Sequence, residues 1–229
     1  MLRFGPEAGP VVVLALPLFE EANRTRAFGC AVLRALAVHG IGGVLPDLPG
    51  QGDSLIPLET LSLLNIQEGY EYVVSPFFER GRPAYGVGIR SGALLDSLGL
   101  LHGRWYLTPQ GGPDLLRELR RIRHASVEQK LSDLWYFDPH LPEDVEDRPV
   151  ELAGNLVSTA LLTDLTVKEP WAAENGGPLR VVRLIGDTNA ADRHLPGSAL
   201  WRRTEPGCDT DLAQALAADI AAWIARCEG

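Results

Sequence analysis

Apolar residues along this chain fall into short unbroken runs separated by stretches of helical periodicity. Residues 11–16 (Val-Val-Val-Leu-Ala-Leu) and 41–45 read as buried strands, since a strand covered on both faces of a parallel sheet shows continuous apolar character. Between them the pattern predicts a helix capped by Asn23 or Thr25 and running to about Val38, where His39-Gly40 ends it. Residues 60–80 read as largely helical, with Pro76 interrupting the run. A short strand at 85–87, a helix to about Leu98 and a strand at 105–107 follow. Residues 115–134 form a long amphipathic helical pattern with Arg117, Arg120, Arg121 and Arg123 on a basic face, which reads first as solvated surface. Residues 138–178 are rich in Pro, Asp and Glu, with a hairpin or turn at about 150–156. The buried-strand pattern returns at 179–185, and a weaker last strand is predicted at 199–203. Leu212, Leu216, Ile220, Trp223 and Ile224 then mark the core-facing stripe of a C-terminal helix.

Strands alternating with helices at this spacing predict an α/β fold, an open and mostly parallel doubly wound sheet. Residues 1–108 and 179–229 supply its core and residues 109–178 a helical cap or insertion, within a single domain. In such sheets ligands sit beyond the carboxyl ends of the strands. Those ends are the segments 17–23, 47–54, 108–110 and 186–189 together with Arg90, so one crevice collects nearly every polar feature of interest.

Composition narrows the function classes. Hydrophobic residues make up 45% and charged residues 22% of 229, enough for one domain with a sizeable core. A net charge of −9 argues against nucleic acid and against an anionic membrane surface as partners. No stretch approaches the roughly 20 apolar residues of a membrane span, and the start lacks the apolar core and cleavage site of a signal peptide, so a cytoplasmic protein is expected. Cys30, Cys208 and Cys227 are too few and too scattered for a disulfide framework or a zinc site, and no metal or cofactor is expected.

The most informative local feature is the turn Gly88-Ile89-Arg90-Ser91-Gly92. It follows an apolar segment and opens a helix-compatible run, which is the context of a nucleophile elbow, Gly-x-Ser-x-Gly. Its centre is Arg90, and a guanidinium stays protonated and has no lone pair with which to attack. The overlapping glycine pattern Gly86-x-Gly88-x-x-x-Gly92 is a poor dinucleotide motif: the strand before it is short, and Tyr106 and Leu107 stand where an acidic residue is needed.

Three features together resemble the α/β-hydrolase superfamily: this turn, the segment Asp47-Leu48-Pro49-Gly50-Gln51-Gly52-Asp53-Ser54 after the second strand, and the insertion after the strand at 105–107. A narrower resemblance lies in Glu20-Glu21-Ala22-Asn23-Arg24-Thr25-Arg26, which is similar to the Glu-Glu-x-Asn-Lys/Arg-Ser/Thr-Arg signature of the hydrolases associated with the exosortase A system. It extends through residues 88–95, where the second type of those hydrolases shows Gly-Leu-Arg-x-Gly-Ala, and through 150–162. That system accompanies extracellular-polysaccharide and protein-sorting gene clusters, and "hydrolase" in its name reflects fold rather than turnover.

The superfamily resemblance implies a nucleophile, an acid and a histidine in chain order, with backbone amides for the oxyanion. Arg90 holds the nucleophile's place, Asp187 matches the acid, and the histidine's place after the last strand falls on residues 205–209, which contain none. Ser91 with Asp187 and His194 keeps the chain order and is the candidate for a displaced triad of an ester or thioester hydrolase; Ser91 otherwise serves to satisfy backbone amides. Cys208 lies near the histidine loop, but a catalytic thiol needs a base beside it. Arg90 at a helix N-terminus makes a fork for a carboxylate or phosphate, or else pairs with Glu20, Glu21 or Asp47. Leu18 and Phe19 would offer inward-pointing amides, with Glu20, Glu21, Asn23 and Arg26 on a polar pocket rim. Asp47 and Ser54 read as fixing their own loop. The leading expectation is a hydrolase-like protein that binds an anionic or acyl-type small ligand around Arg90 without a Ser-His-Asp mechanism. A non-catalytic assembly partner using residues 109–178 as its interface is the third reading.

Overall fold

In the computed structural model, which describes residues 1–126 and 148–229, the apolar runs become neighbouring strands. The chain opens with β1 (Leu2–Phe4), β2 (Val11–Ala15), helix α1 (Glu20–Val38) and β3 (Gly42–Leu45). Helix α2 (Leu63–Glu79), β4 (Ala84–Ile89), β5 (Gly103–Leu107) and α3 (Gly112–Ser126) follow. A hairpin of β6 (Val150–Leu152) and β7 (Asn155–Val157) leads to α4 (Thr159–Leu165), β8 (Leu179–Leu184), β9 (Arg193–Leu195) and α5 (Thr210–Cys227). One sheet has the order β1-β3-β2-β4-β5-β8-β9, parallel at every pairing except β1 with β3.

The alternation of a strand explains how β2 is buried along its whole length. Val12 and Leu14 enter an apolar cluster with Phe28, Leu33, Leu36, Leu216 and Ile220 of α1 and α5. Val11, Val13 and Ala15 enter the opposite cluster with Ile66 and Tyr70 of α2 and with Leu115, Leu119 and Leu161 of α3 and α4. The described part of 109–178 therefore buries its apolar face in a core shared with the sheet. Residues 127–134 of the predicted helix lie outside the described residues. No described helix is long and apolar enough to cross a membrane.

Four sequence expectations are corrected. Helix α1 begins at Glu20, not at Asn23 or Thr25: Phe19 is the N-cap and makes no side-chain cap, the Asn23 amide donates to Glu20 Oε2 (3.2 Å), and Thr25 Oγ donates back to the Glu21 carbonyl (2.7 Å). Pro76 is accommodated within α2, whose start is fixed by a reciprocal Ser62–Asn65 capping box. The turn after β4 is a short 3₁₀ segment (Arg90–Leu94) rather than a helix to Leu98, because other groups take its carbonyls. Gln67 Nε2 donates to Leu94 O (2.7 Å), and Arg104 Nη2 donates to Asp96 O (3.0 Å) and Gly99 O (3.1 Å). Finally, residues 199–203 hold a 3₁₀ turn (Leu200–Arg202), and the last strand is β9, too short and too exposed to show an apolar run.

Candidate functional site

Three adjacent strands β2, β4 and β5 lead into residues whose backbone is left-handed without being glycine: Phe19 (φ 61°), Arg90 (φ 54°) and Thr108 (φ 46°). Such a conformation costs of order 1–3 kcal/mol per residue and collects at sites where the surrounding structure imposes it. At Arg90 the constraint is visible. A Cβ on Gly92 would meet Ala15 O at 2.3 Å and one on Gly88 would meet Ala93 at 2.8 Å, so these glycines let the turn pack against β2 and against itself. This close packing accounts for the glycine spacing that resembled a dinucleotide motif.

The turn drives the Arg90 side chain into a buried cluster, where it is 9% exposed. Its Nε and Nη2 donate to the two carboxylate oxygens of Glu21 on α1, both at 3.3 Å. Nη2 also donates to Glu118 Oε2 on α3 (2.9 Å), which accepts a second bond from Gln110 Nε2 (3.0 Å). The Trp201 ring covers the guanidinium, 5.3 Å from ring centre to Cζ. One cation thus serves two carboxylates. Burial pushes the Glu21 carboxyl above the usual carboxylate range, Arg90 pulls it back, and the Glu118 charge adds to the rise.

A cavity of about 770 Å³ opens beside this cluster, lined by Arg90, Thr108, Gln110, Glu118, Trp201 and Arg202 and by the loop after β8. Thr108 and Gln110 are more than nine-tenths buried, yet Thr108 Oγ and Gln110 Oε1 have no hydrogen-bond partner among the described residues. A buried unpaired polar atom is costly unless something reaches it.

No family model and no curated protein matches the chain. Solved structures do. A putative hydrolase from Agrobacterium vitis S4 is 16% identical with a TM-score of 0.59, over 97% of this chain and 91% of that one. A soluble variant of monoglyceride lipase from Saccharomyces cerevisiae, solved with a substrate analog, is 12% identical with a TM-score of 0.59, over 97% and 88%. Est1E from Butyrivibrio proteoclasticus, solved with ferulic acid, is 15% identical with a TM-score of 0.55, over 96% and 91%.

The chain has the α/β-hydrolase fold. At these identities the likeness carries the fold and no activity.

Within the α/β-hydrolase fold, the hydrogen bonds of Ser91, Asp187 and His194 lead away from one another. Ser91 is fully buried and its Oγ accepts the Leu18 N–H (2.9 Å), so the serine ties the loop after β2 to the turn after β4 and occupies an amide expected to point into a pocket. Asp187 accepts from Arg183 Nη1 (2.8 Å) and from the Asn189 backbone and side chain (3.0 and 2.8 Å). That shell holds its carboxyl below the usual range although burial acts in the other direction. His194 is exposed on β9 itself. No hydrogen bond joins any two of the three among the described residues. With β9 as the last strand, the segment that follows it starts at Pro196, and it brings Trp201 against Arg90.

The other rim residues divide. Glu20 and Glu21 line a second cavity together with Leu18 and Phe19. Asn23 is exposed, and Arg26 on α1 pairs with Asp47 in the loop after β3 (2.8 Å). Asp47 accepts from Asp53 N (3.4 Å), and Ser54 Oγ accepts from Gly50 N (3.3 Å) and Ile56 N (3.2 Å). Cys208 is exposed in the loop before α5. Sequence reasoning placed the segment 108–110 in the crevice without assigning Thr108 or Gln110 a role, and it missed Glu118 and Trp201. Glu118 left a trace, as an acid inside an otherwise basic helix face.

Proposed function

We propose that the protein binds a small anionic ligand in the crevice above β2, β4 and β5, without Ser-His-Asp chemistry. The observation that carries this is the charge of the larger cavity. Its described lining holds five arginines (Arg90, Arg117, Arg121, Arg183, Arg202) against three carboxylates (Asp114, Glu118, Asp187), in a chain whose net charge is −9. A cleft of opposite sign to the whole molecule draws anions to itself.

The arginines are not equivalent. Arg90 is committed to Glu21 and Glu118, Arg183 to Asp187 and Arg117 to Asp114. Arg121 reaches Glu118 only at 4.0 Å, and the Arg202 side chain has no hydrogen bond or ion pair among the described residues, its backbone N–H alone donating, to Ala199 O (3.0 Å). Arg121 and Arg202 therefore meet the ligand, and Arg90 acts as the post that holds the wall. This moves the anion contact away from Arg90, where the sequence suggested it. The Thr108 hydroxyl, buried and unpaired among the described residues, supplies a donor in the same lining. The similarity of residues 20–26, 88–95 and 150–162 to the exosortase-associated hydrolases supports a role in a polysaccharide- or sorting-related pathway. The ester or thioester hydrolase reading through Ser91, Asp187 and His194 lacks a hydrogen-bonded base, and nothing on the described part of 109–178 favours a docking interface.

Calorimetric titration with inorganic phosphate and citrate tests the proposal. Binding of at least one, weakened tenfold or more in Arg202→Ala at an unchanged melting temperature, is the expected result. No binding of either anion, or unchanged affinity in an Arg121→Ala/Arg202→Ala double variant, overturns it.

A further inference from the structure

A second cavity of about 550 Å³ adjoins the first, and its chemistry is different. Leu18, Phe19, Leu115, Leu119 and Ile122 give it an apolar surface, with Glu20, Glu21 and Arg24 as the charged part of its own lining. The two cavities share Glu118, Arg121, Trp201 and Arg202 in their linings, while Arg90 lines the first and Glu21 the second. The Arg90–Glu21 pair (3.3 Å) is therefore the partition between an arginine-rich space and an apolar one, with Arg121 and Arg202 at the junction of both.

We infer that the two cavities take a single amphiphilic anion, with its apolar tail against Leu119 and Ile122 and its anionic head at Arg121 and Arg202. This rests on the anion-binding reading above and names the class of ligand. A wholly polar ligand would leave the apolar surface wet, and an unsubstituted hydrocarbon would leave the Arg202 guanidinium and the buried Thr108 hydroxyl without partners. A planar guanidinium fork suits a carboxylate or a phosphate head equally, so a medium-chain carboxylic acid and a monoalkyl phosphate share the required chemistry. Each space falls within the range of roughly 300–1,000 Å³ that small-molecule sites occupy.

The test compares acetate, decanoate, decyl phosphate and decanol by ligand-observed NMR titration on the full chain. Each buried methylene raises affinity roughly fourfold, so decanoate or decyl phosphate binds roughly 100-fold or more tightly than acetate if even four are covered. Which of the two is tighter identifies the head. Decanol, lacking the charge, binds at least roughly tenfold more weakly than its charged counterpart. In Ile122→Glu the added carboxylate weakens every anion and the ratio of decanoate to acetate affinity falls toward one; Ile122 is half-exposed, so folding is not at stake. Decanoate and decyl phosphate no tighter than acetate, or a gain that survives Ile122→Glu, overturns the inference and leaves the anion site standing. Failure of every anion overturns the anion site and this inference together.

Discussion

Arg90 and Asp219 each anchor a buried cluster of arginines and carboxylates, but the two clusters have opposite stoichiometry. Asp219 on α5 gathers two cations and an indole. Its Oδ1 accepts from Arg180 Nε (2.7 Å) and Trp105 Nε1 (2.9 Å), and its Oδ2 from Arg180 Nη2 (2.9 Å) and Arg193 Nη1 (2.8 Å). Burial works against its ionisation, yet these donors pull its carboxyl down to about 2. At Arg90 one cation faces Glu21 and Glu118, and burial leaves Glu21 with a raised pKa. The first arrangement is a clamp that locks α5 to β5, β8 and β9. The second carries an excess of acid beside two cavities, with strained backbone on three neighbouring strand ends. Stability built the first; the second is what a binding site looks like when its wall is held only as firmly as needed.

Breaking the clamp has the largest expected effect. Asp219→Asn leaves Arg180 and Arg193 uncompensated and lowers unfolding free energy by about 3–5 kcal/mol at pH 7. Because the folded pKa is depressed, the stabilisation is present above the unfolded value near 3.8 and is lost as pH falls toward about 2. Urea unfolding at several pH values checks both the size and the window.

Asp96, a third buried acid, sharpens the contrast from the other side. Tyr106 donates to both its oxygens (2.9 and 3.0 Å) and Arg104 lies at 3.5 Å, but burial dominates and raises its pKa to about 6. A raised folded pKa means stability that is full below about 4 and lost as pH rises through about 6. The stability of Asp96→Asn relative to the wild type is therefore expected to improve by about 2–3 kcal/mol between pH 4 and pH 8.

Arg90→Gln uncovers two carboxylates and is expected to cost about 2 kcal/mol at pH 8 and less at pH 5, where Glu21 takes up its proton more readily. An equal loss at both pH values would make the cluster a second clamp. Smallest is Ser91→Ala, which leaves the Leu18 N–H unpaired at about 1 kcal/mol, visible as a modest drop in melting temperature with ligand affinity unchanged.

The sheet was legible because burial on both faces writes itself into apolar runs, as at residues 11–16 and 41–45, whereas the strand at 179–184 interleaves Arg180 and Arg183 and buries only Val182 and Leu184. The elements that failed were those governed by distant partners. Arg104 and Gln67 capture the carbonyls that a helix after Arg90 would need, and β9 has three residues with one buried side chain. For the site, the turn at Arg90 could be read from local pattern, with Glu20, Glu21 and Asp47 as its candidate carboxylates, of which Glu21 makes the pair. The segment 108–110 was placed in the crevice by the strand pattern, but Glu118 and Trp201 come from separate stretches of chain, and only the fold brings them to Arg90. Ser91 was ambiguous in sequence because one hydroxyl fits a nucleophile and a backbone strap equally; its bond to Leu18 N favours the strap.

The most direct test of a crevice that holds its ligand without covalent chemistry is the intact mass of the purified protein after exposure to a reactive fluorophosphonate. The account predicts an unmodified mass in both wild type and Ser91→Ala. A single stoichiometric adduct mapped to Ser91 and absent from Ser91→Ala would contradict it and establish a displaced nucleophile.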